Sequence, residues 1–533
     1  MRVLLVNPGH SQTFWSFDKV LETTRKKALL PPLGLLTLAS LLPNDWNIEL
    51  VDMVFQEISE SQWNQSDLIM VSGMSVQQDG ILQVIKQAKR RGKTVVVGGP
   101  WSFHVPEQAL EAGADLVMRG EAEVQIQNLL DALKKKNFGQ ILQSAERADM
   151  TKSPPPRFDL LNMGAYVDME VQFTRGCPFK CEFCDVTLML GRKVRAKKPE
   201  QILQELELLY NLGWRRMVFF VDDNFIGSAQ KTKELLKELI PWMDARNRPF
   251  NFYTQASVNM AADDKLMQDM YLAGFQRVFL GVETPDEACL KDAGKLQNTN
   301  VDLNEVCKKI TRGGFQVIAG AILGFDEETT GAGSRLIKFA EKNHIPELFT
   351  TLLQAGKGTD LCVRLESEDR LLTMDVTNLS NQTGLVNFVP TRPLEEIAHE
   401  FVSVYEELYK PETYIERSYY HFKGMNPPHV KKPLRLPYSW EIRAVAIMLF
   451  RNSVVYPTRL KFWKYLLKAL WNFPSRFDRY LVSFVVAEHY YDFKDKIREG
   501  IESQLEALGP KIKTTCYTKP CAALECAPIQ ENG

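Results

Sequence analysis

Three cysteines lie close together in the middle of this 533-residue chain. Cys177, Cys181 and Cys184 are separated by three and then two residues, so one loop can present three thiolates to a metal centre. A four-cysteine zinc site needs a fourth ligand at similar spacing, and the next cysteine along the chain is Cys289. An iron–sulfur cluster with one open iron therefore fits the spacing better than a zinc knuckle or three buried thiols.

Short apolar runs alternate with helical segments around this loop. Strands are predicted at 170–174, 217–221, 250–255, 277–282, 317–323 and 348–353, and helices at 200–211, 229–244, 264–273, 302–312 and 328–343. Six repeats predict a partial (βα)6 barrel, a TIM-like fold whose chemistry takes place at the carboxyl ends of the strands. The candidate residues there are Asp222, Asp223, Asn224, Gln255, Ser257, Glu283, Gly320 and Gly324. Residues 222–224 could instead cap a helix. Glu283 could instead be a solvated carboxylate in a loop.

The N-terminal third shows the same alternation. Strands are predicted at 3–6, 48–52, 68–72, 94–98 and 115–119, with helices at 34–42, 80–91 and 123–136. The pattern predicts a doubly wound, flavodoxin- or Rossmann-like parallel sheet, which binds ligands at the carboxyl ends of its strands. The candidate residues at those ends are Ser72, Ser75, Gly98, Gly99, Gly120 and Glu121. The alternative for each is an ordinary turn between a strand and a helix.

The order of these N-terminal elements resembles the cobalamin-binding domain of corrinoid enzymes. In that family a serine after the third strand and a Gly-Gly pair after the fourth line the nucleotide tail of the cofactor, so the resemblance implies that Ser72 or Ser75 and Gly98-Gly99 do so here. The family's Asp-x-His-x-x-Gly segment would follow the second strand, where this chain reads Asp52-Met-Val-Phe-Gln-Glu57. The resemblance therefore implies cobalamin bound without a histidine ligand to cobalt.

The cysteine motif, with Phe183 before its last cysteine, resembles the signature of radical S-adenosylmethionine (SAM) enzymes. The resemblance implies a 4Fe–4S cluster on the three cysteines, with SAM on the open iron and a 5′-deoxyadenosyl radical formed by reductive cleavage. It places Phe183 near the adenine, Glu283 at the ribose or amino-acid part of SAM, and Gly320 and Gly324 beside the adenine. Gln255 and Ser257 complete the SAM-binding candidates.

The two domains together, over roughly residues 1–395, resemble the cobalamin-dependent (class B) radical SAM proteins. In the methyltransferases of this class one SAM methylates cobalamin, and a second SAM yields the radical that prepares an unactivated carbon for the methyl group. The resemblance also implies an electron donor such as flavodoxin or ferredoxin. Cyclisation or rearrangement with the same cofactors is the alternative reaction. A corrinoid-binding regulator with a structural metal at the cysteines is the alternative of another class.

Helical segments dominate from residue 394 onward, and 427–480 contains eleven basic and two acidic residues. The segment 460–471 predicts a basic amphipathic helix of the kind that lies on anionic membranes. Its apolar face is Leu460, Trp463, Leu467, Leu470 and Trp471. A helix packed on the barrel with a solvated basic face is the main alternative. This region resembles a subgroup that includes the hopanoid C-2 methylase, as do the segments 31–34, 71–74 and 387–390, which implies a hydrophobic small molecule or lipid as substrate.

Composition limits the remaining possibilities. Lys and Arg total 65 against 66 acidic residues, so a globally basic nucleic-acid binder is not expected. No apolar run reaches the ~18–20 residues of a membrane span, and a strand begins at Arg2, which predicts a cytoplasmic protein with peripheral membrane contact through 427–480. The predicted domains are 1–145 for cobalamin, a linker at 146–164, the barrel at 165–395, helices at 396–510 and a disordered tail at 511–533. For Cys516, Cys521 and Cys526 in the tail, a second cluster is the alternative.

Overall fold

The computed structural model describes residues 1–372, 382–428, 437–508 and 516–517. Of the predicted tail, only 516–517 falls within these ranges, where Cys516 is exposed. Cys521 and Cys526 lie outside the described residues, as does the part of the basic stretch at 429–436.

The N-terminal domain is a six-stranded parallel sheet with helices on both faces. Its strands are β1 (Arg2–Asn7), β2 (Asn47–Asp52), β3 (Leu68–Ser72), β4 (Thr94–Gly98), β5 (Leu116–Arg119) and β6 (Gln140–Gln143). Its helices are α1 (Asp18–Thr24), α2 (Leu33–Leu41), α3 (Glu60–Gln65), α4 (Gln78–Arg90), α5 (Pro100–His104), α6 (Pro106–Glu111) and α7 (Ile126–Lys135). The strand order is β2-β1-β3-β4-β5-β6, so the chain reverses direction across the sheet beside β1, where doubly wound folds bind ligands.

The sequence reaches this arrangement because β1, β3 and β4 are apolar on both faces, as strands covered by helices must be. Two hydrophobic clusters result, one on each face of the sheet. The sixth strand was not predicted, because β6 contains only two apolar residues and lies at the edge.

The second domain is the expected partial barrel. Its strands are β7 (Met169–Val171), β8 (Thr174–Arg175), β9 (Arg195–Ala196), β10 (Met217–Phe220), β11 (Asn251–Ala256), β12 (Phe275–Glu283), β13 (Gln316–Leu323) and β14 (Glu347–Leu352). Its helices are α8 (Val186–Leu190), α9 (Pro199–Asn211), α10 (Ala229–Ala245), α11 (Asp264–Ala273), α12 (Glu287–Asp292), α13 (Leu303–Arg312), α14 (Ala332–Lys342) and α15 (Asp360–Ser367). Six parallel strands stand in the order β14-β13-β12-β11-β10-β7, while β8 and β9 form a separate antiparallel ribbon. The predicted fold class is confirmed.

The C-terminal region is helical and shares a hydrophobic core with the barrel. Its α-helices are α16 (Leu394–Leu408), α17 (Pro411–Gly424), α18 (Ser439–Phe450), α19 (Arg459–Asn472) and α20 (Phe477–Ala507), with a π-helical turn at Arg451–Val455. Within the described ranges, no helix combines the length and the apolar character that a membrane crossing requires.

The segment after β1 leaves its own domain and packs into the barrel. Phe14 is fully buried and stacks on Tyr490 of α20, with ring centroids 4.5 Å apart. Trp15 contacts Phe279 of β12 and Phe349 of β14. These contacts join the first sheet, the barrel and α20, which fixes how the two α/β domains face each other.

Candidate active site

The cysteine loop is closed at its base by the β8–β9 ribbon, in which Thr174 pairs with Ala196 and Arg175 with Arg195. Gly176 has a φ of +93°, and a Cβ atom there would lie 2.8 Å from the Gly191 carbonyl oxygen. Glycine is therefore required where the chain enters the loop. Cys177, Cys181 and Cys184 are half-buried free thiols on this loop.

The surroundings of the three thiols fit a cluster. Burial raises the pKa of the Cys184 thiol to about 12, and iron binding would favour its thiolate instead. Gln297 donates a hydrogen bond to Cys181 Sγ at 3.7 Å, and a hydrogen bond from Asn224 partly offsets the rise in the pKa of Cys177 that burial causes. Among the described residues no three His, Cys, Asp or Glu side chains converge as ligands of a single ion would. In a 4Fe–4S cluster each thiolate binds a different iron, and three free thiols on one loop fit that donor set.

Glu283 ends β12 in a strained conformation beside this loop. Its φ is +64°, which is uncommon for a residue other than glycine and occurs at sites where the surroundings hold the backbone. Its carboxylate forms an ion pair with Lys295, which is buried. Asn298 donates hydrogen bonds to the carbonyls of Gly281 and Val282, both at 3.0 Å, and so holds the strand end in place.

Lys295 lies beside the cysteine loop, a position that the sequence did not reveal. Although burial opposes its charge, the neighbouring Glu283 carboxylate and the Cys181 thiol raise the pKa of Lys295 overall. A Cβ atom on Gly281 would lie 2.6 Å from a Glu283 carboxylate oxygen and 2.7 Å from Lys295 Nζ, so a larger residue there would displace this ion pair. Lys295 follows Glu283 by twelve residues in a loop with no periodic pattern, so no sequence signal pointed to it.

The other predicted SAM contacts divide into two groups. Gln255 and Phe183 line the large cavity described below, and the Phe183 ring lies 6.0 Å from that of Phe325. Ser257 does not line it and accepts a hydrogen bond from Asn224 at 3.2 Å. Gly320 and Gly324 do not line it either. A Cβ atom on Gly320 would lie 2.6 Å from the Phe279 ring, and Gly324 has a φ of +99°. The structure thus brings Ser257 to the cysteine loop through Asn224 and keeps the two glycines within β13 and its end.

One cavity of about 2610 Å³ runs between the first sheet, the cysteine loop and the barrel. Pockets for a single small ligand are typically about 300–1,000 Å³, so this cavity has room for several ligands at once. Phe183 and Asp185 of the cysteine loop line one wall. The facing wall contains all six residues predicted for cobalamin, namely Ser72, Ser75, Gly98, Gly99, Gly120 and Glu121.

The sheet edge of this cavity is shaped by Gly99. Its φ of +90° and ψ of −177° belong to a region that is essentially restricted to glycine. A Cβ atom there would overlap Ser72 Oγ and lie 3.1 Å from the Gly73 nitrogen. The backbone of β4 can therefore approach a large ligand closely at this edge, as the cobalamin assignment requires.

The structure also shows which residue lies where the corrinoid family has its cobalt-binding histidine. Asp52 is buried and accepts hydrogen bonds from Asn7 at 2.8 Å and from the Tyr166 hydroxyl at 3.0 Å. Two residues later, where the Asp-x-His pattern would place its histidine, Val54 lines the cavity. An apolar side chain thus occupies the position where the family's histidine would lie.

Glu121 lines the cavity but its carboxylate is engaged in ion pairs. It lies 3.0 Å from Arg175 and 2.9 Å from Arg195, the two residues paired at the base of the cysteine loop. Arg175 also pairs with Glu123 at 2.8 Å, and His104 of α5 lies 3.0 Å from Asp185. These interactions hold the first domain against the residues that flank Cys177 and Cys184.

Replacing Glu121 with alanine should lower the free energy of unfolding by about 3–5 kcal/mol, because Arg195 would lose its carboxylate partner in a buried interface. Urea unfolding of the purified variant measures this change. Glu111, which is exposed on α6, provides the matched control when changed to alanine. Equal stability of the two variants would show that the ion pairs do not hold the domains together.

Comparison with family models divides the chain into three parts. A B12-binding domain matches residues 24–130, the radical SAM superfamily matches residues 171–340, and a domain of unknown function matches residues 359–503. The first two models cover the sheet edge at Ser72 and Gly99 and the cysteine loop.

Relatives match over nearly the whole chain. An uncharacterized methyltransferase of Synechocystis is 44% identical, covering 95% of this chain and 94% of the relative. The hopanoid C-2 methylase of Rhodopseudomonas palustris is 30% identical, covering 94% of both chains.

Solved structures share the fold. The cobalamin-dependent SAM radical enzyme OxsB, solved with aqua-cobalamin and SAM, has a TM-score of 0.58 at 16% identity and covers 95% of this chain and 81% of its own. The radical SAM methyltransferase TsrM of Kitasatospora setae, solved with cobalamin and a 4Fe–4S cluster, has a TM-score of 0.56 at 16% identity and covers 70% of this chain and 79% of its own. Together with the near-full-length relatives, these matches show that the chain belongs to the cobalamin-dependent radical SAM methyltransferase family, whose cofactors are a 4Fe–4S cluster, SAM and cobalamin.

Proposed function

We propose that this enzyme transfers a SAM-derived methyl group to an unactivated carbon of a hydrophobic small molecule or lipid. The single observation that carries the proposal is that one cavity reaches from Phe183 on the cysteine loop to Ser72 and Gly99 on the first sheet. When bound, the family's cofactors supply a carbon-centred radical and a methyl group, chemistry that protein side chains do not provide. Cyclisation is the second candidate reaction, since a cyclase is also among the relatives, at 24% identity over 61% of this chain.

The chain's own residues would bind the cofactors and orient them. Cys177, Cys181 and Cys184 would hold the cluster, and Gln255, Ser257 and Glu283, with Phe183, Gly320 and Gly324, would position SAM. Lys295 holds the Glu283 carboxylate in place beside the loop through their ion pair. Ser72, Ser75, Gly98, Gly99 and Gly120 would contact cobalamin, while Glu121 positions the cysteine loop through Arg175 and Arg195. We place the domain boundaries at 1–145, 165–395 and 396–510.

The barrel wall of the cavity suits an apolar substrate. Phe219 and Tyr253 stack with ring centroids 4.4 Å apart and an interplanar angle of 5°, and both rings line the cavity. Trp15, Phe279 and Phe349 line it as well. These aromatic surfaces exclude water from a reacting carbon and offer flat apolar faces against which a hydrophobic substrate can pack. The hopanoid C-2 methylase relative makes hopanoid-like lipids the first substrates to test.

The apolar face of α19 is exposed. Leu460 is 83% exposed, Leu467 62% and Trp471 87%, while the opposite face, with Phe462 and Ala469, is buried against the protein. Trp463 and Leu470 are exposed on the same side, so all five residues predicted for this face are open to solvent. Lysines 461, 464 and 468 interleave with them. An apolar face bordered by lysines fits the surface of an anionic bilayer, and we propose that α19 lies on such a surface.

The double variant Leu467→Ser, Trp471→Ser should bind anionic vesicles at least about tenfold more weakly, because two apolar side chains no longer enter the bilayer. Co-sedimentation with phosphatidylglycerol vesicles measures the partition. Val363, 60% exposed on α15, gives the matched control as Val363→Ser. Equal binding by the double variant, the control and the wild type would contradict the membrane contact.

Incubating the reduced enzyme with trideuteromethyl SAM and candidate lipids tests the reaction itself. Mass spectrometry should detect a lipid that has gained a trideuteromethyl group. A lipid product that has lost hydrogen without gaining deuterium would instead indicate cyclisation.

A further inference from the structure

The cavity has a second end that the proposed chemistry does not use. At the amino ends of the barrel strands, opposite the strand ends that face the cysteine loop, several arginines line it, among them Arg216, Arg277 and Arg479. Arg216 precedes β10, Arg277 lies on β12 and Arg479 on α20. Arg216 stacks on Trp214, with its guanidinium carbon 3.9 Å from the ring centroid, and donates a hydrogen bond to the Tyr166 carbonyl, so it has partners of its own. The barrel's chemistry belongs at the carboxyl ends of the strands and does not account for Arg277 and Arg479.

Two of these arginines lack a carboxylate in ion-pair contact among the described residues. Arg479 donates to the carbonyls of Gln276 at 2.8 Å and Gly314 at 3.1 Å, and its Nε is buried without a hydrogen-bond partner. Arg277 makes no ion pair within the part of the chain that the structure describes. The two like charges lie close enough that burial and Arg277 together lower the pKa of Arg479 to about 10.

The acidic groups nearby only partly balance this charge. Burial raises the pKa of Glu170 to about 8, so it is mostly protonated at neutral pH. Asp168, whose pKa burial raises to about 6 despite Arg277 and Arg216, carries most of one negative charge. Asp478 is exposed beside Arg479, and Glu441 also lines this end.

We propose that this arginine-lined end binds an anionic group, a carboxylate or a phosphate, at the far end of an amphiphilic substrate. The proposal rests on the proposed function, in which the same cavity holds the methyl acceptor. Guanidinium groups bind carboxylate and phosphate through paired, charge-assisted hydrogen bonds, and a bound anion would relieve the repulsion between Arg277 and Arg479. Val445 of α18 and Val482 and Val485 of α20 line this end too and would cover the apolar part of the substrate next to its charged group.

Calorimetric titration of the full chain with dodecanoate, dodecyl phosphate and dodecan-1-ol tests this site without requiring catalysis. The acid or the phosphate should bind at least about tenfold more tightly than the alcohol, and the tighter of the two identifies the anion. Arg277→Gln and Arg479→Gln should each weaken anion binding about tenfold and leave binding of the alcohol unchanged. Arg277→Lys, which keeps the charge but cannot form the paired hydrogen bonds, should bind the anion more weakly than the wild type and more tightly than Arg277→Gln. Arg90→Gln on the exposed face of α4 is the matched control.

Equal affinity for anion and alcohol, or anion binding unaffected by both Gln variants, would overturn the inference. If circular dichroism shows that the Gln variants do not fold, the wild-type protein alone tests the site. Its preference for the anion over the alcohol must then weaken at high ionic strength. An enzyme that methylates a neutral lipid and shows no anion preference would overturn this inference and leave the proposed function standing. If the Gln variants lose anion binding but the wild type transfers no methyl group to any lipid, the anion site is supported and the proposed function is contradicted.

Discussion

Replacing Cys184 with alanine is expected to reduce reductive cleavage of SAM by at least about a thousandfold, because the radical depends on a cluster that two thiols cannot hold. The iron content should fall with it. The fold should persist, since Cys184 is a half-buried residue of a loop rather than part of a strand. Release of 5′-deoxyadenosine under dithionite, measured by chromatography on anaerobic protein, checks the prediction.

Cys362→Ala provides the control for that experiment. Cys362 is also a half-buried free thiol, but it lies on α15 outside the cysteine loop. This variant should keep its iron and cleave SAM at the wild-type rate. A Cys184→Ala protein that matched it in both measurements would show that the loop does not hold the cluster.

Replacing Gly99 with alanine should remove corrinoid and leave iron in place. The new methyl group would overlap Ser72 Oγ, and the backbone would have to leave a conformation that is essentially restricted to glycine. We expect the free energy of unfolding to fall by about 1–3 kcal/mol, and the corrinoid content at least about tenfold. Absorbance of the purified protein measures corrinoid, and a colorimetric assay measures iron.

The Gly92→Ala variant separates the effect of backbone strain from the effect of blocking the cofactor site. Gly92 has a positive φ of +68° near the opposite end of β4, but a Cβ atom there would meet nothing within 4 Å. This control should lose some stability and keep its corrinoid. Equal corrinoid in the two variants would place the cofactor elsewhere than at the Ser72 and Gly99 edge.

Local patterns were sufficient to predict both α/β domains. β12 and β13 carry continuous apolar runs, and the helices between strands have an apolar face and a polar face, so periodicity alone located them. The cysteine loop could also be identified from the sequence, because its three cysteines lie within eight residues. Ser72 and Gly99 could be predicted as ligand-facing residues because ligands bind at the carboxyl ends of parallel strands.

Residues that depend on long-range contacts could not be predicted in this way. Lys295 acquires its role only because the chain folds it back onto Glu283, and Arg195 only because β9 pairs with β8 across the cysteine loop. Phe14 and Trp15 appear in the sequence as part of an N-terminal loop, yet they insert into the barrel of another domain. The arginine-lined end draws Arg216, Arg277 and Arg479 from widely separated segments, and no spacing in the sequence connects them.

We propose that one cavity brings the cluster and cobalamin to the same substrate. The most direct test is anaerobic purification followed by quantification of iron, sulfide and corrinoid, with 5′-deoxyadenosine measured after reduction in the presence of SAM. We expect about four irons and one corrinoid per chain, and release of 5′-deoxyadenosine. Zinc in place of iron, or iron with no corrinoid after reconstitution, would contradict it.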